Sequence, residues 1–223
     1  MFEKPELEAD LTFDRPADLT FAADAIEKRT TAGAELGIGH RQRIVTKSTR
    51  RKFYDLRHVP NAVALIGELP KAGETIHAIM AGDFAAWDLI PAVHSLLGCM
   101  IEELHVATLG FNAANNQHLC DLIDAGHIRR AAIVCSQYFE KANADVFQAA
   151  RVRLEQRGQR IAATRCHAKL ILIAPAGRRD RYTVESSANL RSCQNLEQFA
   201  LSNDAKLYEF HKTWIESLLP PNI

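Results

Sequence analysis

The sequence contains no CxxC pair, no GxGxxG or Walker phosphate loop, no low-complexity tract and no internal repeat. Without a phosphate loop, nucleotide hydrolysis on a glycine-rich turn is disfavoured. The five cysteines (Cys99, Cys120, Cys135, Cys166 and Cys193) are odd in number and widely spaced, which argues against both a disulfide framework and a zinc knuckle. No long hydrophobic run occurs. The longest, such as Leu170–Ala174 and Ala131–Cys135, fall far short of the roughly 20 residues that span a bilayer. The first residues, Met1-Phe2-Glu3-Lys4-Pro5-Glu6, lack the basic and apolar parts of a signal peptide, so the chain reads as cytoplasmic, with no membrane partner. Excess charge is also absent, since 27 Lys and Arg balance 27 Asp and Glu. A globally basic nucleic-acid coat is thereby excluded.

What remains is the composition of a globular protein: 223 residues, 47% hydrophobic and 24% charged. That length suits one large domain, or one ordinary domain with an extension. The zero net charge conceals a segregation. Residues 1–30 hold eight acids against four bases, whereas residues 40–58 hold seven bases (Arg41, Arg43, Lys47, Arg50, Arg51, Lys52 and Arg57) against Asp55 alone. Phe53 and Tyr54 interleave with the basic run, a pattern suited to phosphate contacts with base stacking. A stretch with three glycines, Gly33, Gly37 and Gly39, separates the two charged segments. Residues 1–60 therefore read as an N-terminal extension of unassigned role, and residues 61–223 as the main domain.

From residue 61 the pattern alternates between strand-like and helix-like stretches. Strands are expected at Ile76–Met80, Ile101–Gly110, Ile128–Ser136, Arg160–Ala163, His167–Ala174, Tyr182–Glu185 and Phe199–Ser202. Helices are expected at Phe84–Leu97, Asn115–Asp124, Lys141–Gln156 and Ala205–Leu219, the last capped by Asp204. The alternation predicts an α/β fold, and the hairpin across 175–181 makes its sheet mixed, with helices on both faces.

Two short segments concentrate the chemistry. In Arg165-Cys166-His167-Ala168-Lys169, strand alternation would place His167 and Lys169 on one face, an imidazole beside an ammonium. In Glu185-Ser186-Ser187-Ala188-Asn189, the returning strand ends in a small polar turn that offers Ser187 and Asn189 near the same edge. A nucleophilic or proton-transferring nitrogen, a cation and neutral donors together suit a phosphoryl group. The other histidines stand apart from this pattern, and His77 and His105 read as ordinary strand residues. Phe111–Asn116 reads first as a helix-capping loop.

These residues resemble the phospholipase D superfamily, whose signature is HxK, an Asp five residues after the Lys, and then GSxN. His-Ala-Lys at 167–169 matches, Ser-Ser-Ala-Asn at 186–189 matches with Ser186 in place of the glycine, and Asn195-Leu196-Glu197 is similar to the Asn-x-Glu that often follows. Ala174 stands where the signature has Asp. The resemblance covers roughly residues 74–219 and implies a phospholipase D-like fold and a phosphodiesterase that works through a phosphohistidine, without metal or other cofactor. It implies that His167 is the nucleophile or its acid partner, that Lys169 and Asn189 hold phosphate oxygens, that Ser187 adds a hydrogen bond, and that Glu197 orients a histidine. Only one HxK is present, so the resemblance implies a homodimer that joins two copies. The basic run, with Arg178 and Arg179 on the hairpin and expected close to the HxK pair, favours DNA as the substrate. The missing Asp and glycine leave a second expectation open, a catalytically reduced DNA-binding or scaffold protein.

Overall fold

The computed structural model describes the backbone of 42–46 and 51–55, and residues 62–80, 85–190 and 196–221. Arg41, Lys47, Arg50, Asn195 and the acidic segment lie outside the described residues, as do the side chains of Arg43, Arg51 and Lys52.

Two strands within the basic segment, β1 (Gln42–Thr46) and β2 (Arg51–Asp55), pair with each other. Helix α1 (Ala62–Ile66) leads to β3 (Thr75–Met80), and a short 3-10 turn at Ala86–Asp88 runs into α2 (Leu89–Leu97). Next come β4 (Ile101–Ala107), α3 (Ala113–Asp124), β5 (Ile128–Ser136), α4 (Gln137–Ala142), α5 (Ala144–Glu155) and β6 (Arg160–Thr164). The chain closes with β7 (Leu170–Pro175), β8 (Tyr182–Ser186), β9 (Glu197–Asn203) and α6 (Ala205–Ser217).

The strands form one sheet in the order β2-β1-β3-β9-β8-β7-β4-β5-β6. Only β4, β5 and β6 run parallel, because each is reached through a helical crossover; the other pairings are antiparallel. The sheet is mixed, as the hairpin between β7 and β8 predicts. Alternation then divides the side chains. Leu104, Val106, Ile171, Ile173, Val184, Phe199 and Leu201 meet the layer made by α1 to α5, while Ala107, Leu170, Leu172 and Ala174 meet Tyr208 and Ile215 of α6. Among the described residues, five helices thus cover one face and α6 alone covers part of the other. With both faces buried, β7 reads as an unbroken apolar run, Leu-Ile-Leu-Ile-Ala-Pro.

Most expected elements shift at their ends, the strand expected to Gly110 stopping at Ala107 among them, and three of the differences have a physical reason. The helix expected from Phe84 begins at Leu89, with Pro91 tolerated in its first turn where its missing N–H costs nothing. The helix expected at Lys141–Gln156 starts earlier and breaks at Asn143, whose φ of −133° and ψ of 49° leave the helical region. The strand expected from His167 starts only at Leu170. The sheet order supplies the reason: β5 and β4 lie between β6 and β7, so the chain must cross two strands before it can pair. Among the described residues, no helix is long and apolar enough to cross a membrane.

Candidate active site

The carboxyl ends of β4, β5 and β6 share one edge of the sheet with the start of β7, since Ala107 pairs with Leu170 and Ser136 with Thr164. The end of β8 and the start of β9 reach the same edge, Ser186 pairing with Phe199. This is where open α/β sheets place their ligands. Two capped helices also begin here. Asn112 Oδ1 accepts from the Asn115 N–H at 2.8 Å and Asn115 Oδ1 accepts from the Asn112 N–H at 3.1 Å, while Ser136 Oγ accepts from the Phe139 N–H at 2.9 Å. The Phe111–Asn116 loop is therefore a capping device, as its sequence suggests.

Residues 165–169 form the bridge over this edge, and they carry the HxK pair. His167 is exposed and Lys169 half-buried. Strand alternation does not set their geometry, because neither is on a strand. Lys169 itself does: its ammonium lies 3.1 Å from His167 Nδ1 and donates to the His167 carbonyl at 2.9 Å. An ammonium has no acceptor capacity, so Nδ1 must accept and the proton of a neutral His167 ring sits on Nε2. The Lys169 carbonyl in turn accepts from the Ser186 N–H at 3.0 Å, which extends the β7 to β8 pairing and fixes HxK beside SxN.

The polar turn after β8 is tightly tied. Ser186 Oγ donates to the Gln198 carbonyl and accepts from the Ala188 N–H, both at 3.0 Å. Ser187 Oγ accepts from the Gln198 N–H at 3.0 Å and donates to the Glu197 carboxylate. Glu197 thus holds Ser187, where the resemblance implied that it orients a histidine. Asn189 Oδ1 is inaccessible to solvent and has no hydrogen-bond partner among the described residues. Ala86, Thr108, Lys169, Ser186, Ala188 and Leu190 line a shallow cleft. Thr108 drew no notice in the sequence, since a lone Thr after a strand carries no signal; its hydroxyl donates to the Gly110 carbonyl at 3.0 Å.

Cys166, next to His167, is buried, and burial pushes its thiol above the ordinary range; Cys135 beneath is pushed up to about 12. Both are protonated, packing thiols rather than nucleophiles. Among the described residues no three His, Cys, Asp or Glu side chains converge as a metal site.

The arginines of the hairpin are elsewhere. Arg178 and Arg179 follow the far end of β7, roughly 20 Å from Lys169 at ~3.4 Å per residue, which corrects the expectation that they neighbour the HxK pair. Arg178 donates to the Leu97 carbonyl at 2.9 Å, at the end of α2. Asp180 accepts from Asn203 Nδ2 at 2.8 Å, and Asn203 also donates to the Pro70 carbonyl at 3.0 Å. That cluster ties the sheet's other edge.

Ala174 is equally remote. It is buried and paired with Glu103 on β4, about 17 Å along β7 from Lys169 at ~3.4 Å per residue. A carboxylate is supplied there after all, from Glu103, which binds Lys212 at 2.5 Å, Arg130 at 2.9 Å and the Tyr208 hydroxyl at 3.3 Å. The substitution at 174 therefore removes no group from the cleft.

No protein-family model matches the chain, and no curated protein matches it by sequence. Among solved structures it is similar to polyphosphate kinase from Porphyromonas gingivalis, at 14% identity over 65% of this chain and 26% of that one, with a TM-score of 0.45. It is also similar to TrmBL2, an archaeal chromatin protein with a novel mode of DNA binding, at 12% identity over 89% of this chain and 61% of that one, with a TM-score of 0.42. The chain spans about a quarter of the kinase's length. Neither likeness assigns an activity to this chain.

Proposed function

We propose that this chain is a metal-independent phosphodiesterase of the phospholipase D superfamily that acts on DNA, its site completed by a second copy. The observation that supports the reading is the contact of Lys169 Nζ with His167 Nδ1 at 3.1 Å, on a bridge bonded to the Ser186–Asn189 turn. An imidazole beside an ammonium, on a bridge tied to a turn that carries hydroxyls and an amide, supplies the kinds of group that a phosphodiester needs.

In the proposed reaction a substrate phosphate draws the Lys169 ammonium away from His167, so that the ring is free to change tautomer. Nε2 of one His167 then attacks phosphorus, forming a P–N bond as the P–O bond to the leaving oxygen breaks. The partner's His167 gives that oxygen its proton. Water next attacks the phosphohistidine, passing its proton to the same partner ring, and the P–N bond breaks to restore the enzyme. Lys169 and Asn189 hold the non-bridging oxygens throughout, and the Ser187–Glu197 contact fixes the turn that positions Asn189.

The test is cleavage of single- and double-stranded DNA and of bis-p-nitrophenyl phosphate in EDTA, beside His167→Ala. Cleavage should persist in EDTA and fall by about 10²–10⁴-fold in the variant, the usual weight of a group that transfers a proton. His167 is exposed, so its loss leaves folding intact. Strictly metal-dependent cleavage overturns the mechanism, and DNA binding without turnover favours the scaffold reading, which Ser186 in place of the signature glycine still supports.

A further inference from the structure

Tyr138 has 72% of its surface exposed, more than any other large apolar side chain among the described residues. It is not exposed by a loose helix. Its neighbour Phe139 is 2% exposed, its ring centroid 4.7 Å from that of Phe111, and it packs directly under Gly110. With Phe139 anchored inward and Ser136 capping the first turn, α4 cannot rotate, so Tyr138 is held pointing away from the core. Lys141 lies three residues on, on the same exposed side of the helix.

Register brings a second cation beside them. Ser136 at the end of β5 pairs with Thr164 at the end of β6, so Arg165 emerges next to the start of α4. Arg165 is exposed and makes no hydrogen bond or ion pair among the described residues. The arginines at the opposite end of these elements behave differently: Arg157 is held by Asp124 at 2.7 Å, Arg129 by Glu102 at 3.2 Å, and Arg153 by Gln117 at 2.6 Å. An aromatic ring thus flanks the bridge that carries His167, with two cations, Lys141 and Arg165, that make no hydrogen bond or ion pair among the described residues. From β5 to β7 is two strand spacings, about 10 Å, within the several-nucleotide footprint of a single-strand surface.

We infer that Tyr138, Lys141 and Arg165 form a single-stranded DNA binding shoulder, with a base stacked on Tyr138 and flanking phosphates on the two cations, which leads the strand into the His167 cleft. The inference rests on the DNA reading of that cleft for the direction of the strand, and its test needs no turnover. A ring face accepts any base, so the shoulder selects for unpaired bases rather than for sequence. A duplex keeps its bases stacked internally and can offer the shoulder only phosphates.

The experiment is fluorescence anisotropy of the full chain with a labelled oligothymidylate and with a labelled duplex, over a range of salt. Tyr138→Ala should weaken oligothymidylate binding about five- to hundredfold, with a much smaller effect on the duplex, and Tyr138→Trp should restore it. Arg165→Ala and Lys141→Ala should each lower the salt slope by about one, on both ligands. Unchanged oligothymidylate affinity in Tyr138→Ala overturns the inference, as does an equal loss on both ligands, which would mean that stacking plays no part. Because cleavage is never read, a catalytically silent chain could still confirm the shoulder, and an active one could still refute it.

Discussion

The buried polar contacts of α6 show how single residues set the acid limit of this fold. Glu216 accepts two hydrogen bonds from Arg160 at 2.8 Å and one from His105 Nε2 at 2.5 Å. The Arg160 guanidinium, and then His105, hold its carboxyl at about 2. Burial is the larger influence on His105 and lowers its value despite the carboxylate beside it. A neutral ring with its proton on Nε2 fits both facts, and leaves Nδ1 as the buried atom without a partner among the described residues. Both groups are depressed by folding, so the sign is the same for each: the unfolded chain binds protons more readily as pH falls. The contribution of His105 is complete above its ordinary 6.5 and declines below it; that of Glu216 is complete above 4.5 and is lost as pH falls through about 2. Denaturant unfolding at a series of pH values should show stability falling from near 6.5 downward. Glu216→Gln should cost about 1–3 kcal/mol at neutral pH and flatten the decline between 4.5 and 2. An unaltered acid slope in that variant would remove Glu216 from the account.

At the scale of elements, periodicity made most of the body legible and topology decided the rest. Ile128–Ser136 is a strand at the expected bounds, and Asp204 caps α6 by accepting from the Lys206 and Leu207 N–H groups at 2.8 and 3.2 Å. The His167 to Lys169 stretch reads locally as a strand but is a crossing, because the need to pass β4 and β5 is a property of the whole sheet. Even so the pair is juxtaposed, since the lysine reaches back along its own backbone. Thr108 and Tyr138 carry no signal in the sequence for a related reason: each is placed by the element it follows or starts, and neither residue type marks a site alone. Gly110 tests that coupling. A Cβ there would lie 2.6 Å from Phe139 Cδ2 and 2.9 Å from Cγ, a ring already wedged against Phe111. Gly110→Ala should destabilise the fold by about 1–3 kcal/mol, since the ring has nowhere to move, and should displace α4. A thermal melt matching the wild type would show that Phe139 has room.

On the scale of the whole molecule, the fold explains why one chain is half of the proposed site. Among the described residues one bridge, 165–169, crosses the carboxyl edge of the sheet, and it carries one imidazole, that of His167. Attack on phosphorus and protonation of the leaving oxygen occur on opposite sides of that phosphorus, and one ring cannot stand on both. A two-fold axis supplies the second ring without any new sequence, because an isologous contact repeats every residue. The prediction concerns stoichiometry. If wild type is mixed with His167→Ala under conditions that allow subunits to exchange, mixed dimers hold one ring and lack the other. Activity should then follow the square of the wild-type fraction, so that an equal mixture keeps roughly one quarter of the original rate per total protein. A chain that carried a complete site would give a straight line and keep roughly half, as expected for independent units. Light scattering on the same samples must show twice the chain mass of 24.9 kDa. A monomer with a linear activity curve would reject the shared site while leaving the pairing of His167 with Lys169 to be explained by chemistry within one chain.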